Sequence, residues 1–377
     1  MRVVAPRETA SGERRVAIVP DALMALAKLG LEVAVEAGAG AAAGAPDAAY
    51  ERAGAAVVAD RAALLASADL VLRVQPPDDA EIALLRPGSA LVSFLRPLDE
   101  PARAARLAER GVTAFAMELV PRITRAQAMD ALSSQASLAG YRAVLRAALA
   151  LGKVLPMMTT AAGTIAAARV LVIGAGVAGL QAIATARRLG AVTEAYDTRP
   201  AVKEQVESLG ARFIELPLDT SGAEGAGGYA KAQSEEFLAR QRALLAERVR
   251  AADAVITTAQ VPGARAPLLI EAEVVEGMKP GAVIVDLAAA GGGNCALTRP
   301  DETVHAHGVA ILGPTNLPAE AAVDASRLYA RNLANLVALL VKDGALVVDL
   351  EDEVVRGALL THEGRVAAEA VRARLGS

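Results

Sequence analysis

The feature that most constrains this chain is a run of alternating glycines set between a strand and a helix. Arg169-Val170-Leu171-Val172-Ile173 reads as a buried strand. Gly174-Ala175-Gly176-Val177-Ala178-Gly179 follows at once, and Leu180 to Leu189 opens a helix that Gly190 ends. Gly174 permits the tight turn, Gly176 lets a pyrophosphate approach backbone N–H groups, and Gly179 lets helix pack on strand. A second strand, Val192 to Tyr196, delivers Asp197 about 20 residues after the glycines, where a carboxylate accepts hydrogen bonds from ribose hydroxyls. A lone glycine pattern is a weak signal. Strand, glycines, helix, second strand and terminal acid together are a strong one.

The candidate dinucleotide contacts are therefore Gly174, Gly176, Val177, Ala178, Gly179, Asp197, Thr198 and Arg199. An acid at Asp197 disfavours a 2′-phosphate, so NAD(H) is expected in preference to NADP(H). Arg199 would dilute that preference if it faced the ribose; a solvated turn residue is the favoured reading. Two further strands, Ala254 to Ala259 and Val283 to Ala288, carry Gln260-Val261-Pro262-Gly263 and Gly291-Gly292-Gly293-Asn294 at their carboxyl ends. Ligands in open α/β sheets sit outside those ends, which adds Gln260, Gly292 and Asn294 as candidates. For any single glycine there, a flexible turn is as good an account as contact. Thr220 to Ala230 forms a glycine-rich insertion with Tyr229 at its tip, either a lid or a solvated loop.

The 377 residues suit two domains, and 54% apolar content ensures a core. Aromatics are only 2% and tryptophan is absent, so that core must be aliphatic, as in parallel sheets between Ala-rich helices. Strand-like runs at Val3 to Ala5, Glu32 to Glu36, Leu70 to Val74, Ala90 to Phe94 and Thr113 to Met117 alternate with helical stretches. Leu132 to Leu151 reads as a long connecting helix and Ala319 to Lys342 as a second helix returning to the first domain. The expected fold class is α/β: two doubly wound parallel-sheet, Rossmann-like domains with a cleft between them, the second inserted into the first. The expected division is residues 1–132 with 330–377, and residues 133–329.

Net charge is −4 with no long basic run, which argues against nucleic acid. Cys295 is the only cysteine, so no internal disulfide forms. The N-terminus lacks a signal peptide's apolar run, and no segment reaches about 18 uninterrupted apolar residues. A cytoplasmic location is expected. The histidines, His305, His307 and His362, show no metal-ligand spacing, and no metal is expected.

Several segments are distinctive: Glu118 to Gln135, Thr159 to Thr164, Gly227 to Lys231 and Asp286 to Asn294. With the glycine fingerprint, they resemble the NAD(H)-binding domain of the proton-translocating nicotinamide nucleotide transhydrogenase family, across essentially the whole chain. Alanine dehydrogenases are similar in fold. The resemblance implies a homodimer, peripheral to the cytoplasmic side of the membrane. It implies hydride exchange between NAD(H) here and NADP(H) on a partner domain, coupled to a membrane-spanning proton-channel subunit. It also assigns Arg122, Gln127, Asp130 and Ser133 to an active-site loop that orients the dihydronicotinamide, and Tyr229 to a mobile loop. On residue type alone, Arg122 and Asp130 equally suit a surface ion pair, and Ser133 a helix cap.

The alternative is an alanine dehydrogenase, which needs a proton donor and a carboxylate anchor as well as hydride. The places similar to that set hold Arg73, a residue near Leu95-Arg96, and Ala290. A cleft rich in Arg, Gln, Asp and Ser but poor in acid–base groups suits direct hydride transfer, which moves no proton in its chemical step. A third class, a nucleotide sensor, would bind NADH without turnover.

Overall fold

Short runs of valine, leucine and alanine build two separate sheets whose central strands are buried on both faces, the pattern expected when helices cover each side. The computed structural model describes residues 1–218, 234–261 and 263–376. The chain divides into two units, Met1–Gln135 with Pro318–Ser377, and Ala136–Leu317.

In the first unit, eight strands lie in the order Arg365–Val366, Leu359–His362, Thr113–Ala116, Ala90–Ser93, Leu70–Leu72, Arg2–Ala5, Glu32–Glu36, Ala56–Val58. The six strands drawn from the first 116 residues are parallel, and Leu359–His362 joins Thr113–Ala116 antiparallel. Val3, Val4, Ala5, Leu70 and Val71 are fully buried. The helix Ala322–Leu340 packs its Tyr329, Leu333, Leu336, Val337 and Leu340 face into the same core.

In the second unit, the order is Arg212–Phe213, Val192–Tyr196, Arg169–Ile173, Ala254–Thr257, Val283–Asp286, Val309–Leu312, Thr303–Ala306. All are parallel except the last, which folds back on Val309–Leu312. Taken in chain order, the parallel strands of each unit follow the 3-2-1-4-5-6 arrangement of the doubly wound fold. In the second unit, the point where that order reverses lies between Arg169–Ile173 and Ala254–Thr257. The register there is level: Ile173 pairs with Tyr196 on one side and Thr257 on the other. Gly174, Asp197 and Thr258 therefore leave the sheet side by side.

The long helix is Ala131–Ala150. The expected helix over 319–342 is shorter: a 3₁₀ turn at Leu317–Ala321 precedes Ala322–Leu340, and Val341–Lys342 turns into a short pairing with Ala345–Leu346. Pro318 and the left-handed pair Asp343-Gly344 account for those limits. Not anticipated from sequence is a hairpin, Met158–Thr160 with Gly163–Ile165, exposed along both strands. Two short terminal helices, Glu353–Ala358 and Glu369–Leu375, also lack a sequence signal; each is too brief for a 3.6-residue period to register. Among the described residues, no helix is long and apolar enough to cross a membrane.

Candidate functional site

The glycine loop begins where Ile173 ends its strand. Gly174 sits at φ +97°, and a Cβ there would stand 2.5 Å from Thr258 Oγ1, whose hydroxyl donates to the Gly174 carbonyl at 2.9 Å. Gly179 is under a harder limit: a Cβ would lie 1.8 Å from the Gly174 oxygen. Gly176 differs from both. Among the described residues, its Cβ position meets only Arg199 Nη2, at 4.0 Å, so no described backbone crowds the loop there. Helix Val177–Arg188 starts at Gly176 with no side-chain cap. Its first N–H groups and positive dipole end are left for an anion, and Val177 at the first position is exposed. Ala178 is half-buried because its carbonyl faces Gly140 of the long helix, where a Cβ would come within 2.0 Å. Gly140 is thus a packing requirement of the loop's helix; its sequence signal is a lone glycine inside an Ala-rich helix.

Asp197 is buried, 8% exposed, at the end of Val192–Tyr196. Its Oδ2 accepts from Ala175 N at 2.7 Å, tying the acid to the glycine loop. Its Oδ1 accepts from Arg199 N at 2.8 Å. Arg199 is not the solvated turn residue favoured from sequence. Its side chain is 12% exposed and forks onto Asp197, Nε to Oδ1 at 2.9 Å and Nη2 to Oδ2 at 2.8 Å. Thr198 between them is half-buried.

The neighbouring loops are fixed by Asp286, wholly buried at the end of Val283–Asp286. It accepts from Thr257 Oγ1 (2.9 Å), Ala288 N (3.0 Å), Asn294 N (2.7 Å), Cys295 N (3.1 Å) and Thr298 Oγ1 (2.7 Å). Asn294 spends its side chain on backbone: Oδ1 accepts from Ala259 N, and Nδ2 donates to the Ala259 and Pro267 carbonyls. It ties two loops together instead of presenting a free amide. Gln260 donates to the Leu287 carbonyl at 2.7 Å, and Gly292 is exposed at φ +103°. Burial pushes the Cys295 thiol up to about 11, so it is neither thiolate nor nucleophile near neutral pH. Tyr229 and its insertion lie outside the described residues.

In the other unit, Arg122, Gln127, Asp130 and Ser133 lie on one tethered segment. Thr124–Met129 is a 3₁₀ turn that buries Ala126 and Met129 while Arg122 and Gln127 are exposed. Asn332 and Asn335 both donate to the Ala128 carbonyl, at 2.9 and 3.1 Å. Arg125 forks onto Asp352, which also caps the helix Glu353–Ala358. The Arg125 guanidinium holds the Asp352 carboxyl well below the usual carboxylate range. At the helix start Asp130, and not Ser133, is the capping residue. Asp130 accepts from Ser133 N at 2.8 Å, and the Ser133 hydroxyl donates to the other oxygen at 2.5 Å.

The places compared with an amino-acid dehydrogenase set are unfit for proton transfer. Arg73 is 2% exposed and paired with Glu8 and Glu81. Arg96 sits in the left-handed region, φ +48°, with its N–H held by Glu118 and its guanidinium on Gln75. Ala290 has no functional group. Burial pushes the Glu8 and Glu118 carboxyls up. Burial also raises Glu13, but its fork with Arg15 and a bond from Gln75 outweigh this and bring it down to about 2. Among the described residues, no group of three or more His, Cys, Asp or Glu side chains is placed to hold a metal ion.

The residues present fit a dinucleotide: an uncrowded glycine at an uncapped helix N-terminus, and a buried acid at the end of the next strand, bonded to that loop. Family models match both parts of the chain. The alanine dehydrogenase/PNT N-terminal domain matches residues 4–139 and the C-terminal domain residues 143–369. The chain is similar to the alpha subunit (first part) of the NAD(P) transhydrogenase of Rhodospirillum rubrum, 49% identical over 98% of this chain and 99% of that protein. Among solved structures it is similar to a transhydrogenase from Sinorhizobium meliloti, with TM-score 0.88 and 46% identity over 97% of this chain and all of that one. An L-alanine dehydrogenase aligns with TM-score 0.84 at 26% identity over all of this chain and 99% of that one.

Proposed function

The chain belongs to the alanine dehydrogenase/PNT family, and from that premise we propose that it is the NAD(H)-binding subunit of a proton-translocating transhydrogenase of the Si-specific/Re-specific type. The observation that carries this reading is the glycine loop. Gly176 stands uncrowded among the described residues at the start of an uncapped helix, and Asp197 is bound to that same loop through Ala175 N. Gly174 and Gly179 set the loop's shape, Gly176 with the first helical N–H groups receives the pyrophosphate, and Asp197 receives the adenosine ribose. Arg122, Gln127, Asp130 and Ser133 orient the dihydronicotinamide, and Tyr229 acts with them. The nicotinamide supplies hydride at its C4; the protein's contribution is position, ring orientation and exclusion of water.

NADP(H) is held on a partner domain, and proton movement belongs to a membrane-spanning partner that keeps this chain at the cytoplasmic face. The absence of an acid–base set at Arg73, Arg96 and Ala290 disfavours reduction of an imino acid.

A homodimer forms through the second unit. The hairpin Met158–Thr160 with Gly163–Ile165 has too few strands to hold itself in water. It borders a groove of about 800 Å³ lined by Leu145, Leu149, Val154, Met158 and Leu189. Leu149 is 85% exposed and Met157 67%. A two-fold axis lets each hairpin cover the other groove. The groove lies beside the amino ends of Arg169–Ile173 and Val192–Tyr196, opposite the glycine loop, so the pairing leaves the nucleotide site open.

The test mixes the purified chain with an NADP-binding transhydrogenase domain, NADPH and an NAD⁺ analogue. Hydride transfer that needs both proteins is expected. Amino-acid-dependent NAD⁺ reduction by the chain alone would establish the alanine dehydrogenase reading instead, and NADH binding without either activity a sensor. Sedimentation of the same preparation as a monomer at micromolar concentration would overturn the dimer.

A further inference from the structure

We propose that Arg199 is a reversible occupant of the ribose subsite and the residue that sets selectivity between NAD(H) and its 2′-phosphorylated counterpart. The inference rests on the nucleotide reading of the glycine loop. A carboxylate offers about four acceptor positions. At Asp197 all four are taken: Oδ1 by Arg199 N and Nε, Oδ2 by Ala175 N and Arg199 Nη2. Two of these donors are backbone and stay where the fold puts them. The other two belong to one guanidinium, so the ribose hydroxyls reach Asp197 only as that fork withdraws.

The fork also overhangs the place where the nucleotide must lie. Its Nη2 is 4.0 Å from the position a Cβ would take on Gly176, the least crowded glycine of the fingerprint among the described residues. In the closed arrangement the cation covers the acid and neutralises it. Withdrawn, the same cation lies beside the ribose edge from which a 2′-phosphate projects. Arg199 therefore opposes NADH, which needs the bare carboxylate, and favours NADPH, which needs a cation. Affinity for the open form is reduced by the fraction of molecules that are closed, so removing the fork tightens NADH by that factor.

The experiment measures NADH and NADPH binding to wild type, Arg199→Gln and Arg199→Lys by nucleotide fluorescence, with association rates by stopped flow. For Arg199→Gln, the NADH Kd is expected to fall by about three- to tenfold. The gain should appear in the association rate, and NADPH should bind more weakly than to wild type. Arg199→Lys keeps the charge without the planar fork and is expected between the two. Because arginine stays protonated, the gain should be the same at pH 6 and pH 8.5. NADH binding that weakens in Arg199→Gln, equal losses for both nucleotides, or a gain confined to dissociation would overturn the proposal. If Arg199→Gln does not fold, Arg199→Lys decides alone: NADH affinity at or below wild type overturns it. Wild type that binds neither nucleotide would instead reject the nucleotide reading of the loop.

Discussion

The glycine loop is held by partners 22 and 84 positions away in sequence, whereas the Arg122 to Ser133 segment is tied to residues more than 200 positions away. Gly174, Asp197 and Thr258 meet because three adjacent parallel strands end level, and the loop is held there by the Asp197 carboxylate and the Thr258 hydroxyl. The other segment depends on Asn332, Asn335 and Asp352, which approach Ala128 and Arg125 from the returning part of the chain. The first loop fails by steric conflict. The second fails by losing a tether. That difference orders what mutation and pH should do.

The largest effect should fall on the local loop. A methyl group at Gly179 would overlap the Gly174 carbonyl, which is backbone and cannot swing aside. Gly179→Ala should cost about 3 kcal/mol or more in urea unfolding and abolish NADH binding. A stable variant that still binds NADH would show that the loop has slack, and the contrast between the two regions would collapse.

Acid should separate the regions next, because in the first unit the buried Glu13 carboxylate is held down by its fork with Arg15. Glu13 stands at about 2 in the fold against an ordinary 4.5. A depressed carboxyl contributes stability above its unfolded value and loses it as pH falls through the folded one. The contribution is thus full above about pH 5 and fades between about pH 4.5 and 2, on the order of 3 kcal/mol. Glu13→Gln should be destabilised relative to wild type at pH 7, with the gap closing toward pH 2, read from urea midpoints. A gap constant with pH would mean that the substituted amide disturbs packing and that the charge of Glu13 is not what stabilises.

The smallest effect should come from the remote tether. Asp352→Ala removes the cap of Glu353–Ala358, worth about 1 kcal/mol, and frees Arg125 from its clamp. Hydride transfer with the partner domain should slow while NADH affinity stays unchanged, since the glycine loop is not touched. Equal losses in both would mean that the two regions are coupled more tightly than their separate anchoring suggests.

The residues differ in how much of their role is visible before the chain folds. The glycine fingerprint and Asp197 are legible because their spacing is set by one strand, one turn and one helix, all short-range geometry. The parallel sheets are legible because strands buried on both faces must be continuous apolar runs. Arg199 is misread from sequence because nothing in a linear chain says whether a side chain two residues past an acid turns outward or back onto it; only the folded turn puts its fork on Asp197. Asn294 is a reasonable nucleotide contact by position, yet its amide ties two loops, a use decided by where Ala259 and Pro267 lie. Asp130 takes the capping role expected of Ser133 because the helix begins at Ala131. Asn332, Asn335 and Asp352 give no sequence signal, since a tether is defined by a partner far along the chain. Sequence by itself determined the local machinery, where covalent neighbours limit geometry to a few ångströms. Only tertiary structure decided which polar groups are spent on the protein's own backbone, because hydrogen-bond partners are assigned by proximity in space.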